Sequence, residues 1–155
     1  MAKINQETVS KMRQLLSSWT VFYQKAHTFH WDLVGNNFNE LHKYFETLYN
    51  ESVEHTDSVA ERLRQIGEKT ALSLAVALGN SVVEDDNSAS TAREMVASLV
   101  TGLAQLTALQ SDIFIEANSQ NDYVTADLMT QLSKWTEFNS WFLTSWQGES
   151  NKSEV

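Results

Sequence analysis

The sequence predicts an all-α protein: a four-helix bundle whose second and third helices are joined by a long connection that holds a short extra helix. The 155 residues include no proline and only five glycines. Proline interrupts helices and glycine weakens them, so this composition permits long continuous helices. Four long segments also repeat apolar residues every three or four positions, the pattern of an amphipathic helix. We expect one domain over residues 1–155, with short frayed ends.

The first half of the chain predicts two long helices in sequence. The first covers about residues 6–33, with Gly35 as its stop signal. The second opens at Asn37, which stands three residues before Glu40 as a capping pair does, and it stops at Gly67.

The second half predicts the short helix, a loop and two more long helices. Residues 70–79 form the short apolar stretch, and residues 85–90 are polar and predict a loop. Thr91 and Glu94 have the spacing of a capping box, which opens the third long helix. The fourth is predicted to begin at the caps Asn121 and Asp122, to end at Gly148, and to bury a stripe of Val124, Leu128, Leu132, Trp135, Phe138 and Phe142.

Composition also limits the function. Cysteine is absent, so any metal site must use His, Asp and Glu. Acidic residues outnumber basic ones by 20 to 11, giving a net charge of -9 that attracts cations and repels nucleic acid. Residues 1–8 are polar, and no apolar run approaches the roughly 18 residues of a membrane span, so we expect a soluble cytoplasmic protein.

Four residues stand out as candidate metal ligands: His30, His42, Asp57 and Glu61. Asp57 and Glu61 are four residues apart and share a helix face, as do His42 and Glu46. Imidazole with carboxylate suits Fe(II), Zn(II) or Mn(II). The spacing alone leaves two alternatives open, a hydrogen-bonded core histidine and a solvated acidic face.

Other familiar sites are not found. A di-iron site inside a bundle uses Glu-x-x-His on two helices. The residues three positions before the four histidines are instead Gln24, His27, Asn39 and Ser52. His-Glu-x-x-His and a glycine-rich phosphate loop are also absent from the sequence, which argues against a metalloprotease or a nucleotide-binding loop.

Four runs of the sequence, residues 27–31, 37–42, 57–63 and 66–67, resemble the Dps family of miniferritins, which have the ferritin-like fold. The family pattern His-x11-His-x14-Asp-x3-Glu is matched by His30, His42, Asp57 and Glu61. The resemblance extends over the whole chain, including the short helix of the connection.

This resemblance implies a ferroxidase and iron store. In the family, a hollow homododecamer oxidises iron(II), preferably with hydrogen peroxide, at two-iron centres on two-fold interfaces, and it keeps the ferric mineral inside. Zn(II) can occupy the same ligands. Such chemistry protects against oxidative damage, because two iron(II) ions acting on one peroxide avoid the release of hydroxyl radical.

The resemblance also suggests roles for residues near the centre. Glu46 occupies the position of an additional acidic ligand, which is usually Asp in the family. Trp31 matches a tryptophan beside the centre, so it is either a quencher of stray oxidants or a core residue. His27 is expected to pack against or orient its neighbours, and His55 to lie on the surface.

Asp122 and Asp127 resemble the family segment that lines acidic three-fold pores, where aspartates would draw in iron(II). The alternative is that they complement the N-terminus of their helix. After Gly67 the family usually has a proline, whereas Glu68 follows here, which should alter only a turn.

Basic tails, with which many family members bind DNA, are missing. The first ten residues contain only Lys3, and after Gly148 a single Lys152 stands against two glutamates. Twelve subunits at -9 each would carry roughly -108 in total. DNA binding and nucleoid compaction are therefore the second hypothesis, and we do not expect DNA to bind through the tails.

The ligand spacing further predicts a site between subunits. His42 and Asp57 are fifteen residues apart on one predicted helix, which separates them by roughly 22 Å. His30 and His42 can meet in one subunit across the turn at Gly35. Asp57 and Glu61 must then come from a second subunit, and a two-fold axis would supply two such sites per dimer.

Overall fold

The structure is a computed structural model that describes residues 4–148, a range with five helices and no strands. The helices are α1 Gln6–Asp32, α2 Phe38–Gln65, α3 Leu74–Asn80, α4 Ala92–Ser119 and α5 Tyr123–Gln147. α1 packs along α2 and α4, α5 packs along α4, and the short α3 lies on α1. The predicted four-helix bundle with one crossover is confirmed. None of the helices between residues 4 and 148 combines the length and apolar character that a bilayer span requires.

Side-chain caps explain where three of the long helices begin. Asn5 accepts a hydrogen bond from the Thr8 amide at the start of α1. The predicted capping box of Thr91 and Glu94 opens α4 with both of its hydrogen bonds, and Asp122 caps α5 as predicted. Each bond satisfies an amide that has no partner inside its helix.

α2 begins without the predicted capping pair. Asn37 makes no side-chain hydrogen bond to the first turn, so the pairing with Glu40 is wrong. The φ and ψ angles of Asn37 are -95° and 14°, a turn conformation rather than the extended one from which capping side chains reach first-turn amides. Gly35, at φ 114°, reverses the chain, and its carbonyl accepts a hydrogen bond from the Phe38 amide at 3.2 Å. Backbone geometry therefore builds the turn between α1 and α2.

The short helix α3 starts later than the predicted range of 70–79. Ala71 has a left-handed φ of 53°, which a growing right-handed helix does not tolerate. Ser73 then accepts a hydrogen bond from the Val76 amide at 3.1 Å and caps the helix.

The core is formed by the inward stripes of the four long helices, with Trp19 of α1 fully buried among them. The predicted stripe of α5 is only partly internal. Leu132 is buried, whereas Val124, Phe138 and Phe142 are 60%, 56% and 37% exposed. The prediction of these three as core residues is wrong for a single subunit, because α5 packs its backbone closely along α4 and leaves this side of the helix uncovered.

A buried ion pair joins α2 to α5. Arg62 donates a hydrogen bond to the Asp122 carboxylate at 2.8 Å and another to the Thr125 hydroxyl at 2.9 Å. Burial by itself would raise the pKa of Asp122, but hydrogen bonds from Thr125 and Arg62 outweigh it and hold that pKa below its ordinary value. Asp122 therefore acts both as the cap of α5 and as the partner of Arg62.

We predict that Asp122→Ala lowers the free energy of unfolding by about 2–4 kcal/mol at neutral pH, because it removes a cap and leaves the Arg62 guanidinium without its carboxylate partner. Since the folded-state pKa of Asp122 is depressed, its contribution is present above the ordinary value of 3.8 and is lost as the pH falls below it. Urea denaturation followed by tryptophan fluorescence, at neutral and at acid pH, measures both effects.

Asp127→Ala is the matched control. This carboxylate lies on the same helix but is exposed, and we expect a change within about 0.5 kcal/mol. Equal losses for the two variants at neutral pH would contradict the assignment.

Candidate metal centre

Two histidines meet at the turn between α1 and α2. His30 lies in the last turn of α1 and His42 near the start of α2. Their rings stack with centroids 3.7 Å apart and planes at 15°. The sequence prediction that these two residues approach each other within one subunit is confirmed by this geometry.

Backbone carbonyls orient both imidazoles. Nδ1 of His30 lies 2.7 Å from the carbonyl oxygen of His42, and Nδ1 of His42 lies 2.8 Å from the carbonyl oxygen of His30. A carbonyl only accepts, so each Nδ1 carries the proton in the neutral ring. Each Nε2 is then left with a free lone pair, which is the arrangement that a metal-ligating histidine requires.

An aromatic cluster surrounds this histidine pair. The centroid of the His27 ring lies 3.8 Å from that of Trp31, with the two rings tilted, and 4.2 Å from that of Tyr49, on which it stacks. The Tyr49 ring also meets the His30 ring edge to face, with 5.2 Å between centroids. Burial, and then the proximity of His30, lowers the pKa of His27. Trp31 is 59% exposed, so its alternative interpretation as a core residue is wrong for one subunit. It lies in the last turn of α1 with its side chain largely exposed.

The candidate carboxylates all lie on α2 and are exposed. The side chains of Asp57 and Glu61 take part in no hydrogen bond or ion pair with any residue of the described range. Asp57 lines a surface cavity between α1 and α2, whereas Glu61 lines a groove that it shares with Asp127 of α5. Glu46 is exposed one turn after His42. These carboxylates are therefore available to a ligand.

The histidine pair and the carboxylates do not converge within one chain. α2 is continuous between His42 and Asp57, so about 22 Å separates them along its axis. Between residues 4 and 148, no three His, Asp or Glu side chains lie close enough together to hold a metal ion. His30 and His42 supply nitrogen donors at one end of α2, and Asp57 with Glu61 supplies oxygen donors towards the other.

The two candidate pore residues differ in their surroundings. The Asp122 carboxylate is buried and bonded to Arg62 and Thr125, so it does complement the start of α5. Asp127 is exposed and accepts a hydrogen bond from Gln131 at 2.7 Å. Within one subunit, Asp127 is thus the carboxylate of the two that is open to a cation.

His55 is not the surface residue that we expected. The centroid of its ring lies 4.9 Å from that of Trp19 on α1 and 4.7 Å from that of Trp135 on α5. Its Nε2 is buried and has no hydrogen-bond partner within the described range. Burial lowers the pKa of His55, although nearby Glu51 opposes this. The sequence did hold a signal for this burial, because His55 stands four residues before Val59 and therefore shares a helix face with that buried residue.

Comparisons of this chain with family models, known sequences and solved structures all indicate the same family. A model of the ferritin-like domain matches residues 9–152. The DNA protection during starvation protein of Brevibacillus brevis is 32% identical over 140 residues, 90% of this chain and 94% of the relative. The crystal structure of Dps from Staphylococcus aureus has a TM-score of 0.89 at 29% identity, covering 94% of this chain and 98% of that one.

A second solved structure adds a chemical description. The Dps protein from Vibrio cholerae O1, described as a member of a broad superfamily of ferritin-like diiron-carboxylate proteins, has a TM-score of 0.88 at 27% identity. The match covers 94% of this chain and 97% of that one. Both similarities extend over the whole bundle rather than over one pair of helices.

We predict that His55 weakens the fold in mild acid. Its folded-state pKa is lowered from 6.5, so the unfolded chain takes up the proton first, and stability falls as the pH drops below about 6.5. His55→Leu should reduce this loss, and at neutral pH it should cost no stability, because it removes a buried atom without a partner.

The measurement is urea denaturation at about pH 7.5 and about pH 5.5. Ser58→Ala, an exposed change one turn further along α2, should keep the pH dependence of the unchanged protein. A His55→Leu protein with that same dependence would show that His55 does not cause it.

Proposed function

The chain belongs to the Dps family of ferritin-like proteins, and we propose on this premise that it is a cytoplasmic ferroxidase and iron store. It oxidises iron(II), preferably with hydrogen peroxide, and keeps the ferric product inside a hollow homododecamer. Iron is the substrate and the cargo of this protein. Removing iron(II) and peroxide together protects the cell from the oxidants that they form when they react freely.

One observation carries the proposal: each subunit presents two complementary halves of a metal site. His30 and His42 offer oriented Nε2 atoms, and Asp57 and Glu61 offer carboxylates without protein partners. The two halves are about 22 Å apart on a straight helix. A second copy, related by a two-fold axis, completes one site with its carboxylates and a second with its histidines.

The surfaces around the two halves support such a pairing. Trp31 and Phe38, which are 59% and 41% exposed, flank the histidine pair. Asp57 lies on a cavity of about 320 Å³ whose other lining residues are mainly apolar: Leu16, Thr20, Tyr23, Val53, Thr56, Ala60, Thr70 and Leu72. Apolar surface next to both halves favours association of copies. Docking one surface against the other would bring the histidines to Asp57 of the second copy.

The donor set suits the proposed reaction. Neutral imidazole binds iron(II), and carboxylate oxygens favour the harder iron(III) product. Two iron(II) ions give one electron each to one hydrogen peroxide, which takes up two protons and leaves as two water molecules. Glu46, exposed one turn from His42, is our candidate for a ligand of the second iron. Zn(II) fits the same donors and should compete with iron(II).

The charge of the protein supports entry of a cation. The net charge of -9 per chain draws iron(II) towards the shell. We propose exposed Asp127 as the carboxylate that meets iron(II) at a three-fold pore. Asp122 supports that pore by capping α5, while its own carboxylate remains bound to Arg62 and Thr125.

DNA binding with nucleoid compaction is the second candidate function. The name of the Brevibacillus brevis relative refers to DNA protection. In this chain we propose that protection is chemical, because the acidic surface opposes contact with phosphates. The terminal residues on which the absence of basic tails was judged, including Lys3 and Lys152, lie outside the range that the structure describes.

We predict that the protein does not retard duplex DNA at about 150 mM salt and neutral pH without added divalent metal, since no basic segment offsets its charge. A gel-shift assay measures this. Retardation under those conditions would contradict us, whereas retardation only with added Mg(II) would indicate cation bridging.

A complementation experiment tests the shared site. A His30→Ala/His42→Ala chain and an Asp57→Ala/Glu61→Ala chain should each lose most of the peroxide-driven oxidation of iron(II). When both are co-expressed with different tags, a mixed dimer holds one site with all four ligands and one with none. Half of randomly paired dimers are mixed, so roughly a quarter of the sites should be restored. Initial oxidation rates of the doubly purified shells measure this.

Glu54→Ala, an exposed carboxylate of α2 outside the proposed site, is the control and should oxidise iron(II) at the normal rate. Light scattering must show each variant at the mass of the unchanged shell, far above the 17.6 kDa of one chain. Mixed shells that form but remain inactive would show that the two ligand pairs do not share an iron.

A further inference from the structure

Trp135 has a feature that distinguishes it from the other four tryptophans of the sequence. Its indole Nε1–H donates a hydrogen bond to the Glu51 carboxylate, with 2.5 Å between Nε1 and Oε2. This bond crosses from α5 to α2. Nε1 of Trp19 is buried without a partner, and the other three indoles donate to no protein group within residues 4–148.

That carboxylate changes how easily the ring gives up an electron. Loss of one electron turns an indole into a radical cation, whose N–H is strongly acidic. If the proton leaves with the electron, no positive charge is left on the ring. A hydrogen-bonded carboxylate can take the proton without any rearrangement. Trp19 has no such acceptor, so its oxidation would leave an uncompensated charge in the bundle core.

The surroundings of Trp135 allow a small oxidant to reach it. The ring is half-buried, with Trp19 at 5.6 Å and His55 at 4.7 Å between ring centroids. A cavity of about 440 Å³ between α2 and α5 leads to the ring, and its polar lining residues are His55, Ser58, Gln131 and Lys134.

We propose that Trp135 and Glu51 form a site that quenches one-electron oxidants, in particular the hydroxyl radical that iron(II) and peroxide release when they react one to one. An electron passes from Trp135 to the hydroxyl radical and makes hydroxide. The indole proton passes to Glu51 and from there to the hydroxide, which leaves as water. A neutral radical stays on Trp135. This site lies inside one subunit and is separate from Trp31, for which the family resemblance implies a quenching role.

The test uses the assembled protein without iron, so its result does not depend on the ferroxidase proposal. Azide radicals from pulse radiolysis oxidise tryptophan by one electron, and peptide mass spectrometry maps the oxidised residues at a dose that leaves most chains unmodified. We expect Trp135 to be the main product site, although Trp31 and Trp141 are 59% and 54% exposed in a single chain.

Glu51→Gln keeps an acceptor for the indole hydrogen bond but removes the base, so oxidation at Trp135 should fall several-fold. Glu54→Gln removes a neighbouring exposed carboxylate of α2 and should leave the pattern unchanged. Transient absorption gives a second readout, because loss of the base should convert the neutral-radical spectrum into that of the protonated radical. The proposal is overturned if oxidation follows exposure, with Trp31 and Trp141 leading, or if the two glutamate variants behave alike.

Discussion

The rise of an α-helix, about 1.5 Å per residue, is the constraint on which the proposed chemistry depends. α2 is continuous, so the backbones of His42 and Asp57 stay about 22 Å apart along its axis, a distance that no choice of rotamers closes. The turn at Gly35 has the opposite effect, because it folds His30 onto His42 and lets each ring bond the carbonyl of the other. One chain therefore carries both kinds of candidate ligand but cannot bring them together. Assembly would be a condition of the activity as well as of storage.

The space between α2 and α5 has a different character from the rest of the bundle. Large polar side chains cross it, and they join the two antiparallel helices at three levels: Arg62 with Asp122, Glu51 with Trp135, and Tyr44 with Asn139. Long side chains keep the helices apart and leave cavities between them. An indole, an imidazole and a carboxylate consequently meet in a part of the bundle that small molecules can enter. The proposed oxidant quenching thus uses a contact between α2 and α5 within one subunit, whereas the proposed iron oxidation uses α2 residues that meet between subunits.

Features with a local cause were the ones that could be predicted from the sequence. The capping box of Thr91 and Glu94 and the stop at Gly148 depend on residues within one turn of a helix. The absence of proline acts in the same way, since each helix is free to continue. The spacing of His42 and Asp57 on one helix also needs no tertiary information. It predicted their separation, and the assignment of these residues as iron ligands stays a prediction.

The helices, their order and the candidate ligands follow from the amino-acid pattern alone, because hydrophobic periodicity and caps act over a few residues. Which side chains meet between helices became known only from the folded bundle. It placed His55 against Trp19 and Trp135, and it joined Trp135 to Glu51 across 84 positions of the chain. It also left Phe138 exposed on an apolar stripe that predicted burial. The reason is physical: such contacts depend on how whole helices dock against each other, and no local pattern specifies that.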